Sequence, residues 1–394
     1  MYKRIYEDFI KEHFKENRQM LFITGPRQAG KTTTTWFLKD SLPFFYFSWD
    51  NIEQRELILK GPNELAKAVE LGHFGKKIPY LIFDEIHKYK DWKTFLKGLY
   101  DSFPNQAHII VTGSAKLDFF KKGGDSLMGR YFLLRLHPFS LAELVKPTLR
   151  NKELNFKPKK LKEKDFENLF NFGGFPDPYI KANSKFYNKW KKLRFYQLFN
   201  EDLRDLSKIQ EVEQLELLAE LIRSQAGQLV TFDSLSKKVR VASNTIRKWL
   251  KALQALYYIF EVRPYFKNIS RSLLKEPKYY LWDWSLCNDV GIKAENFIAS
   301  HLLKAIQFWT DYGFGTYNLH FLRDKNKREV DFLITKDQKP WILLEVKKKS
   351  DKLSNNLEYF QKQLNAKYVF QIVVDAPYVN ENCFIDSKTR IVPA

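Results

Sequence analysis

The sequence predicts an α/β protein, and three observations carry that prediction. In the first third, apolar strand-like runs alternate with helix-like segments, the pattern of a parallel sheet covered by helices. One of those runs enters a glycine-rich loop, Gly25–Thr32, and a helix-like segment leaves it. Near the other end a long amphipathic segment precedes three short β runs, so α/β character returns after a helical middle.

The candidate strands of the first third are Met20–Thr24, Phe44–Phe47, Tyr80–Phe83 and His108–Thr112, with a helix over Thr33–Lys39. A helical, basic stretch follows from Pro138 to about Leu206, broken by the turn-forming Gly173-Gly174-Phe175-Pro176. From about Gln210 to Lys278 the pattern becomes three short helices and a strand pair: Gln210–Gly227, Ser234–Val239 and Thr245–Leu256, then Tyr257–Pro264. Asp233 and Ser243 read as N-caps of the second and third helices. After Lys278 come a helix over Gly291–Thr310 and β runs at Leu319–Arg323, Glu329–Ile334 and Trp341–Val346. Lys157–Lys164 is a basic run that reads as solvated surface.

Bulk properties bound the function. At 394 residues the chain is too long for one ordinary core, so two or three domains are expected. Hydrophobic residues at 44% and charged residues at 28% indicate a folded protein and exclude a disordered one. Lys and Arg outnumber Asp and Glu by 66 to 46, and the net charge of +20 attracts polyanions such as nucleic acid. The two cysteines, Cys287 and Cys383, can build neither a disulfide framework nor a cysteine zinc site, which fits a reducing cytosol. Met1–Glu16 is charged throughout and lacks the apolar stretch of a signal peptide. No apolar run approaches the ~18 residues that span a bilayer. A cytoplasmic chain with no membrane partner is the expectation.

Gly25-x4-Gly30-Lys31-Thr32 has the full spacing of a phosphate-binding loop. Across Gly25, Pro26, Arg27, Gln28, Ala29, Gly30, Lys31, Thr32 and Thr33, backbone N–H groups and the helix N-terminus would wrap the phosphates of ATP. Lys31 would reach the β- and γ-phosphates, and the Thr32 hydroxyl would ligate Mg²⁺. The site needs an acidic residue at the tip of a neighbouring strand, and Tyr80–Phe83 leads into Asp84-Glu85. Asp84 would hold the Mg²⁺ shell and Glu85 would polarise the attacking water. His87 has no partner ligands in sequence and reads as structural. Thr112 or Ser114, at the end of the next strand, offers a hydroxyl to the γ-phosphate or the water. Arg130 follows in a loop suited to reach a neighbouring subunit's γ-phosphate, which implies a homo-oligomer through this domain; the alternative is a plain surface arginine.

The runs FITGPRQAGKTT, LIFDEIHKYKDW, VTGSA and GRYFLLRLHPFSLAE, in that order, resemble AAA-superfamily ATPases of archaea and bacteria, close to the origin-recognition branch of AAA+ proteins. The resemblance implies Lys31, Thr32, Asp84 and Glu85 as the ATP site, Thr112 or Ser114 as sensor, and Arg130 as a trans-acting finger. Arg194 and Arg204 are both candidates for a second sensor.

In the middle segment, two helices joined by a tight turn follow the helix-turn-helix plan, with Tyr257–Pro264 as a wing. The second helix carries Asn244, Arg247, Lys248 and Lys251. From Gln228 to Lys278 there are 11 Lys or Arg against 3 Asp or Glu, a local excess of about +8, enough for several DNA phosphate contacts. The bland alternative is a linker or protein-contact module.

At the C-terminal end, Asp331, a β-hairpin, and Glu345-Val346-Lys347 make the core of a restriction-endonuclease-like, PD-(D/E)XK nuclease fold. Positions i and i+2 of a strand share a face, so Glu345 and Lys347 point the same way. The carboxylates would hold Mg²⁺, or Mn²⁺, and the lysine would orient or deprotonate the water that attacks a phosphodiester. Glu295, on the preceding helix, resembles the extra carboxylate often seen there in Holliday-junction-resolvase-like members. A Gln-x3-Tyr after the lysine is absent. KYYLWDWSLCN, NFIASHLL and REVDFLI…LLEVKKK resemble the C-terminal domain of unknown function that accompanies these ATPases.

The expected architecture is therefore a P-loop AAA+ ATPase domain with a helical lid over 1–206, a winged helix-turn-helix over 207–278, and a PD-(D/E)XK nuclease-like domain over 279–394. The expected function is ATP hydrolysis coupled to DNA binding, branched or single-stranded, with Mg²⁺-dependent cleavage. A nucleotide-controlled DNA-binding switch without cleavage is the alternative, and a protein-remodelling ATPase a third reading.

Overall fold

A computed structural model of the chain describes residues 2–73, 77–113, 127–145, 152–154, 158–203, 211–266, 275–350, 352–385 and 389–394. The chain divides into two compact units, Met1–Leu149 and Arg150–Ala394.

In the first unit the described elements run α1 (Ile5–Glu16), β1 (Met20–Thr24), α2 (Lys31–Trp36), β2 (Phe44–Ser48), α3 (Ile52–Leu59), α4 (Pro62–Ala68), β3 (Tyr80–Asp84), α5 (Trp92–Ser102), β4 (His108–Thr112), β5 (Tyr131–Arg135) and α6 (Leu141–Leu144). The strands form one sheet in the order β2-β3-β4-β1-β5, every pair parallel. A parallel sheet needs helical crossovers, which bury both its faces, and this explains the unbroken apolar runs of β1 and β3. All five residues of β1 are buried. Phe22, Phe83 and Val111 meet Trp92, Phe95 and Leu96 of α5 in the core. The four expected strands are present. β5 is a fifth strand that the sequence reading did not assign, and its Phe132 is exposed.

His108, at the start of β4, lies between Phe14 (ring centroids 4.6 Å) and Tyr80 (5.2 Å). Burial and the neighbouring His13 push its imidazole down to about 4. The folded state therefore binds fewer protons than the unfolded chain between about pH 6.5 and pH 4, and stability falls as pH falls through that window. Allowing for the ring's partial exposure, the loss amounts to roughly 2 kcal/mol. His108→Phe is expected to flatten the fall in Tm over that range, as measured by calorimetry from pH 7 to pH 4.5.

In the second unit the described elements are α7 (Glu163–Phe172), α8 (Pro176–Lys181), α9 (Ser184–Gln197), α10 (Val212–Ser224), α11 (Phe232–Val239), α12 (Ser243–Ala255), β6 (Ile259–Pro264), β7 (Lys278–Leu281), α13 (Val290–Asp311), β8 (Tyr317–Arg323), β9 (Glu329–Lys336), β10 (Lys339–Lys347), α14 (Asn355–Leu364), β11 (Tyr368–Val373) and β12 (Arg390–Pro393). The strands form a seven-stranded mixed sheet, β12-β11-β10-β9-β8-β6-β7.

The segment that the sequence reading attached to the ATPase domain as a lid packs within this second unit. Trp284 Nε1 donates to Leu169 O at 3.0 Å, and Tyr187 OH donates to Ser285 O at 3.0 Å. Arg194, a second-sensor candidate, stacks on Phe175 with its guanidinium carbon 3.5 Å from the ring centroid, and pairs with Asp283 at 3.4 Å. Gly173 (φ +80°) lets the backbone approach here, since a Cβ would stand 2.5 Å from Asp283 Oδ1. Arg204 lies outside the described residues.

The strand expected as a wing joins the C-terminal sheet. Ile259–Val262 pair antiparallel with β7, while Arg263 and Pro264 pair parallel with β8. The N-caps also differ from expectation. Thr231, not Asp233, caps α11 by accepting from Ser234 N at 3.1 Å. Ala242 occupies the cap position of α12, while Ser243 Oγ donates to Asp233 Oδ1 at 2.7 Å. Asp233 and Ser243 thus tie the two helices together, a tertiary use that competes with local capping.

Candidate functional site

The phosphate-binding loop is positioned by β1 and closed by the segment that follows β5. Gly25 has φ +152°, and a Cβ there would lie 2.1 Å from Leu136 O. Gly25→Ala is expected to destabilise the unit by about 1–3 kcal/mol through overpacking and to abolish any ATP-dependent rise in Tm; scanning calorimetry with and without ATP checks both. Gly30 (φ +95°) is the left-handed N-cap of α2. Pro26 and Ala29 are buried, whereas Arg27, Gln28 and Thr33 are exposed. Lys31 is buried, and its Nζ donates to Gly25 O and Pro26 O at 3.0 Å each.

Sheet order brings the acidic strand to this loop. β4 lies between β1 and β3, and the register pairs Ile23 with Thr112 and Thr112 with Asp84, so the strand tips are level. Thr32 Oγ1 donates to Asp84 Oδ2 at 3.4 Å, and Thr112 Oγ1 donates to Asp84 Oδ1. Tyr46 OH also donates to Asp84 Oδ2, at 2.5 Å. Burial and the Asp84 carboxylate raise the Tyr46 phenol, so it stays a donor. Tyr46 was not read from the sequence; a tyrosine paired within an otherwise apolar β2, one strand from the acidic pair, was the available signal. The hydroxyl of Thr32 and the carboxylate of Asp84 are hard oxygen donors side by side, a set that fits Mg²⁺.

Glu85 stands in the left-handed region (φ +55°), with its N–H on Thr112 O at 2.9 Å. Its Oε2 lies 3.5 Å from His87 Nε2 and 3.9 Å from Lys88 Nζ. Burial raises the Glu85 carboxyl above the usual range, Lys31 opposing and Asp84 adding to the shift. A non-glycine in this conformation just beyond an acidic strand tip stores strain of the kind found at active sites. Arg130 makes a two-pronged pair with Asp101, Nε to Oδ1 and Nη2 to Oδ2 at 2.8 Å each, on the surface. Ser114 lies outside the described residues.

The C-terminal cluster is built across β7, α13, β9 and β10. The antiparallel register of β9 and β10 runs to Phe332↔Leu344, and from Ile342 to Lys347 β10 pairs in parallel with β11. Beyond that register Val346 N finds the Asp331 carboxylate instead, donating to Oδ2 at 2.8 Å. Lys347 Nζ bonds Glu345 Oε1 at 2.7 Å, and Glu345 Oε2 is buried with no hydrogen-bond partner. Burial, then the Glu295 and Glu345 charges, raise Asp331 well above the usual carboxylate range. Burial likewise raises Glu345. For Lys347 burial pulls the ammonium down, but Glu345, Asp331 and Glu295 outweigh it and the net shift is upward.

Glu295 is held by other groups. Its Oε1 accepts from Tyr280 OH at 2.6 Å and lies 3.4 Å from Lys278 Nζ, which also pairs with Glu329 at 2.7 Å. Among the described residues no group of three or more His, Cys, Asp or Glu is arranged to hold a metal ion. Asp331 and Glu345 are therefore neighbours, with Glu295 engaged by Tyr280 and Lys278. Two carboxylates with an orphaned buried oxygen still suit Mg²⁺, which keeps several waters and needs only one or two carboxylates. Lys278, Tyr280 and Glu329 were not read from the sequence, because a buried lysine opening an apolar strand carries no local signal.

On α12, Ile246, Trp249, Leu250 and Leu253 are buried. Asn244, Arg247, Lys248 and Lys251 are all exposed, at spacings that share one face. Arg247 stacks on Phe232 of α11, 4.5 Å from its ring centroid.

The five-stranded parallel sheet, the loop at its switch point and the Asp84 tip define the class: the first unit holds an AAA-type P-loop ATPase domain. In agreement, a family model described as an AAA domain matches residues 17–145. Two further models match, Domain of unknown function (DUF8612) over 163–296 and Domain of unknown function (DUF4143) over 290–385. An uncharacterized protein of Mycobacterium tuberculosis is 23% identical over 273 residues, covering 68% of this chain and 55% of that protein. An uncharacterized protein of Methanocaldococcus jannaschii is 24% identical over 337 residues, covering 81% and 73%. The chain thus spans little more than half the length of the mycobacterial relative. Among solved structures, the Walker-type ATPase of Pyrococcus abyssi is similar at 17% identity, with TM-score 0.46, covering 73% of this chain and 95% of that one. Among the described residues, no helix is long and apolar enough to cross a membrane.

Proposed function

We propose that the chain is an ATP-hydrolysing, DNA-binding enzyme whose C-terminal PD-(D/E)XK-like domain cuts DNA under nucleotide control. The observation that carries the cleavage reading is the Asp331–Glu345–Lys347 cluster, three charged side chains crowded where β9 and β10 part, one of them with an orphaned oxygen.

In the ATPase unit, Lys31 binds and orients the phosphates, Glu85 takes the proton of the attacking water, and Thr32 and Asp84 would hold Mg²⁺, with Thr112 and Tyr46 fixing Asp84. Bound Mg²⁺ supplies positive charge to the phosphates. Arg130 serves a neighbouring subunit in a homo-oligomer; its pair with Asp101 lies on the surface, where solvent screens it. In the second unit, α11 and α12 act as a helix-turn-helix, and Asn244, Arg247, Lys248 and Lys251 face the DNA. Asp331 and Glu345 would hold Mg²⁺, which would supply positive charge to the phosphodiester, and Lys347 stabilises charge on the scissile phosphate.

A second reading, a nucleotide-controlled DNA-binding switch without cleavage, is favoured by Lys278, whose ammonium pairs with both Glu295 and Glu329. Labelled single-stranded, duplex and four-way-junction DNA, incubated with Mg²⁺ or Mn²⁺ and with or without ATP, separates the two. Metal-dependent cleavage supports the enzyme. Binding that shifts between ATP and ADP with a steep salt slope, and no cleavage on any substrate, establishes the switch.

A further inference from the structure

Arg4 precedes the first helix and was not singled out by any motif, yet it is 3% exposed and sits against the phosphate-binding loop. Its guanidinium joins two segments, the phosphate-binding loop and residues 137–143. Nε and Nη2 donate to the two oxygens of Glu143 at 2.9 and 3.3 Å, Nη2 donates to His137 O at 2.5 Å, and Nη1 donates to Ala29 O at 2.9 Å. The guanidinium carbon also stands 4.6 Å from the centroid of the Phe139 ring. Glu143 is itself 5% exposed and accepts from Ile5 N. Arg4 N in turn donates to Glu7 at 2.8 Å, which anchors α1 beneath the arginine.

The contact with Ala29 has a geometric consequence. A peptide group is planar and trans, so the C=O of Ala29 and the N–H of Gly30 point in opposite directions. Holding the carbonyl outward on Arg4 aims the Gly30 N–H inward, as phosphate binding by backbone N–H groups requires. Gly30 at φ +95° has no side chain to resist rotation of that peptide, so local sterics alone do not fix it. The same 136–143 segment braces the loop's other end, where Leu136 O closes over Gly25. Only a planar guanidinium with five donors can satisfy Glu143, His137 and Ala29 together; a lysine ammonium keeps the charge but lacks that reach.

We propose that Arg4 is a positioning residue for ATP: clamped by Glu143, it fixes the Ala29–Gly30 peptide so that the loop presents its N–H groups to the phosphates before nucleotide arrives. The inference rests on the first unit's being an ATPase.

The test compares wild type, Arg4→Lys and the double variant Arg4→Met/Glu143→Met, with Lys31→Ala as the binding-defective control. The double variant removes both buried charges together, an exchange that folded cores tolerate, and so keeps the test open if Arg4→Lys misfolds. Affinity is read by calorimetric titration with a non-hydrolysable ATP analogue plus Mg²⁺, and turnover by phosphate release at saturating ATP, each on protein shown folded by circular dichroism. A roughly tenfold or greater rise in Kd and KM in either folded variant, with kcat lowered less than KM is raised, supports the proposal. Folded variants that bind within twofold of wild type, while Lys31→Ala does not bind, overturn it. A wild type that neither binds nor hydrolyses ATP overturns the ATPase reading instead, and this inference with it.

Discussion

Glu85→Gln is expected to lower ATP turnover by about 10²–10⁴-fold while leaving ATP binding intact. The glutamine keeps the side chain's shape but cannot accept a proton, and Lys31, Thr32 and Asp84 remain to hold the nucleotide. The structure adds a pH signature. Burial raises Glu85, so its working, ionised form is lost on acidification at a higher pH than for an ordinary carboxylate. Wild-type turnover should therefore fall with decreasing pH above the usual carboxylate range, and the variant's residual turnover should lack that limb. Steady-state rates across pH, with nucleotide affinity measured in parallel, check both effects. Unchanged turnover in Glu85→Gln would falsify the assignment, and a loss of binding in step with turnover would make the residue structural.

Lys347→Ala is expected to reduce DNA cleavage by about 10²–10³-fold, the usual loss when one preorganised charge donor is removed. The same preparation should hydrolyse ATP as wild type does. The mechanism is electrostatic rather than proton transfer. Glu345 at 2.7 Å, with Asp331 and Glu295, holds the ammonium charged against the opposing pull of burial, so Lys347 is a poor base at neutral pH. Activity should not show an acidic limb from this lysine. Cleavage by purified wild type and variant at equal rates would remove the C-terminal cluster from the chemistry and leave the binding switch as the better account.

Much of the ATPase unit was legible because its signals are local. An apolar strand, a loop with fixed glycine spacing and an acidic pair behind a second apolar strand are each contiguous, and the structure gathers Lys31, Thr32, Asp84 and Thr112 as their spacing implied. Tyr46, by contrast, reaches Asp84 only because β2 lies beside β3, and Arg4 reaches Ala29 only across the fold. In the second unit, residue types were legible and their pairing was not. Asp331, Glu345 and Lys347 stand together, but Glu295 is drawn to Tyr280 and Lys278, which no spacing rule connects to it.

The helices 163–197 show the same division. Their existence follows from composition and from the Gly173–Pro176 break, yet their packing with 283–285 depends on a close approach at Gly173 and a partly buried Arg194–Asp283 pair. Periodicity, loop chemistry and charge act over a few residues and are written in the chain itself. Which strand lies beside which, and therefore which carboxylate meets a metal and which a lysine, depends on contacts between residues far apart in sequence. Those arise only when the cores close, and so the tertiary structure alone decided them.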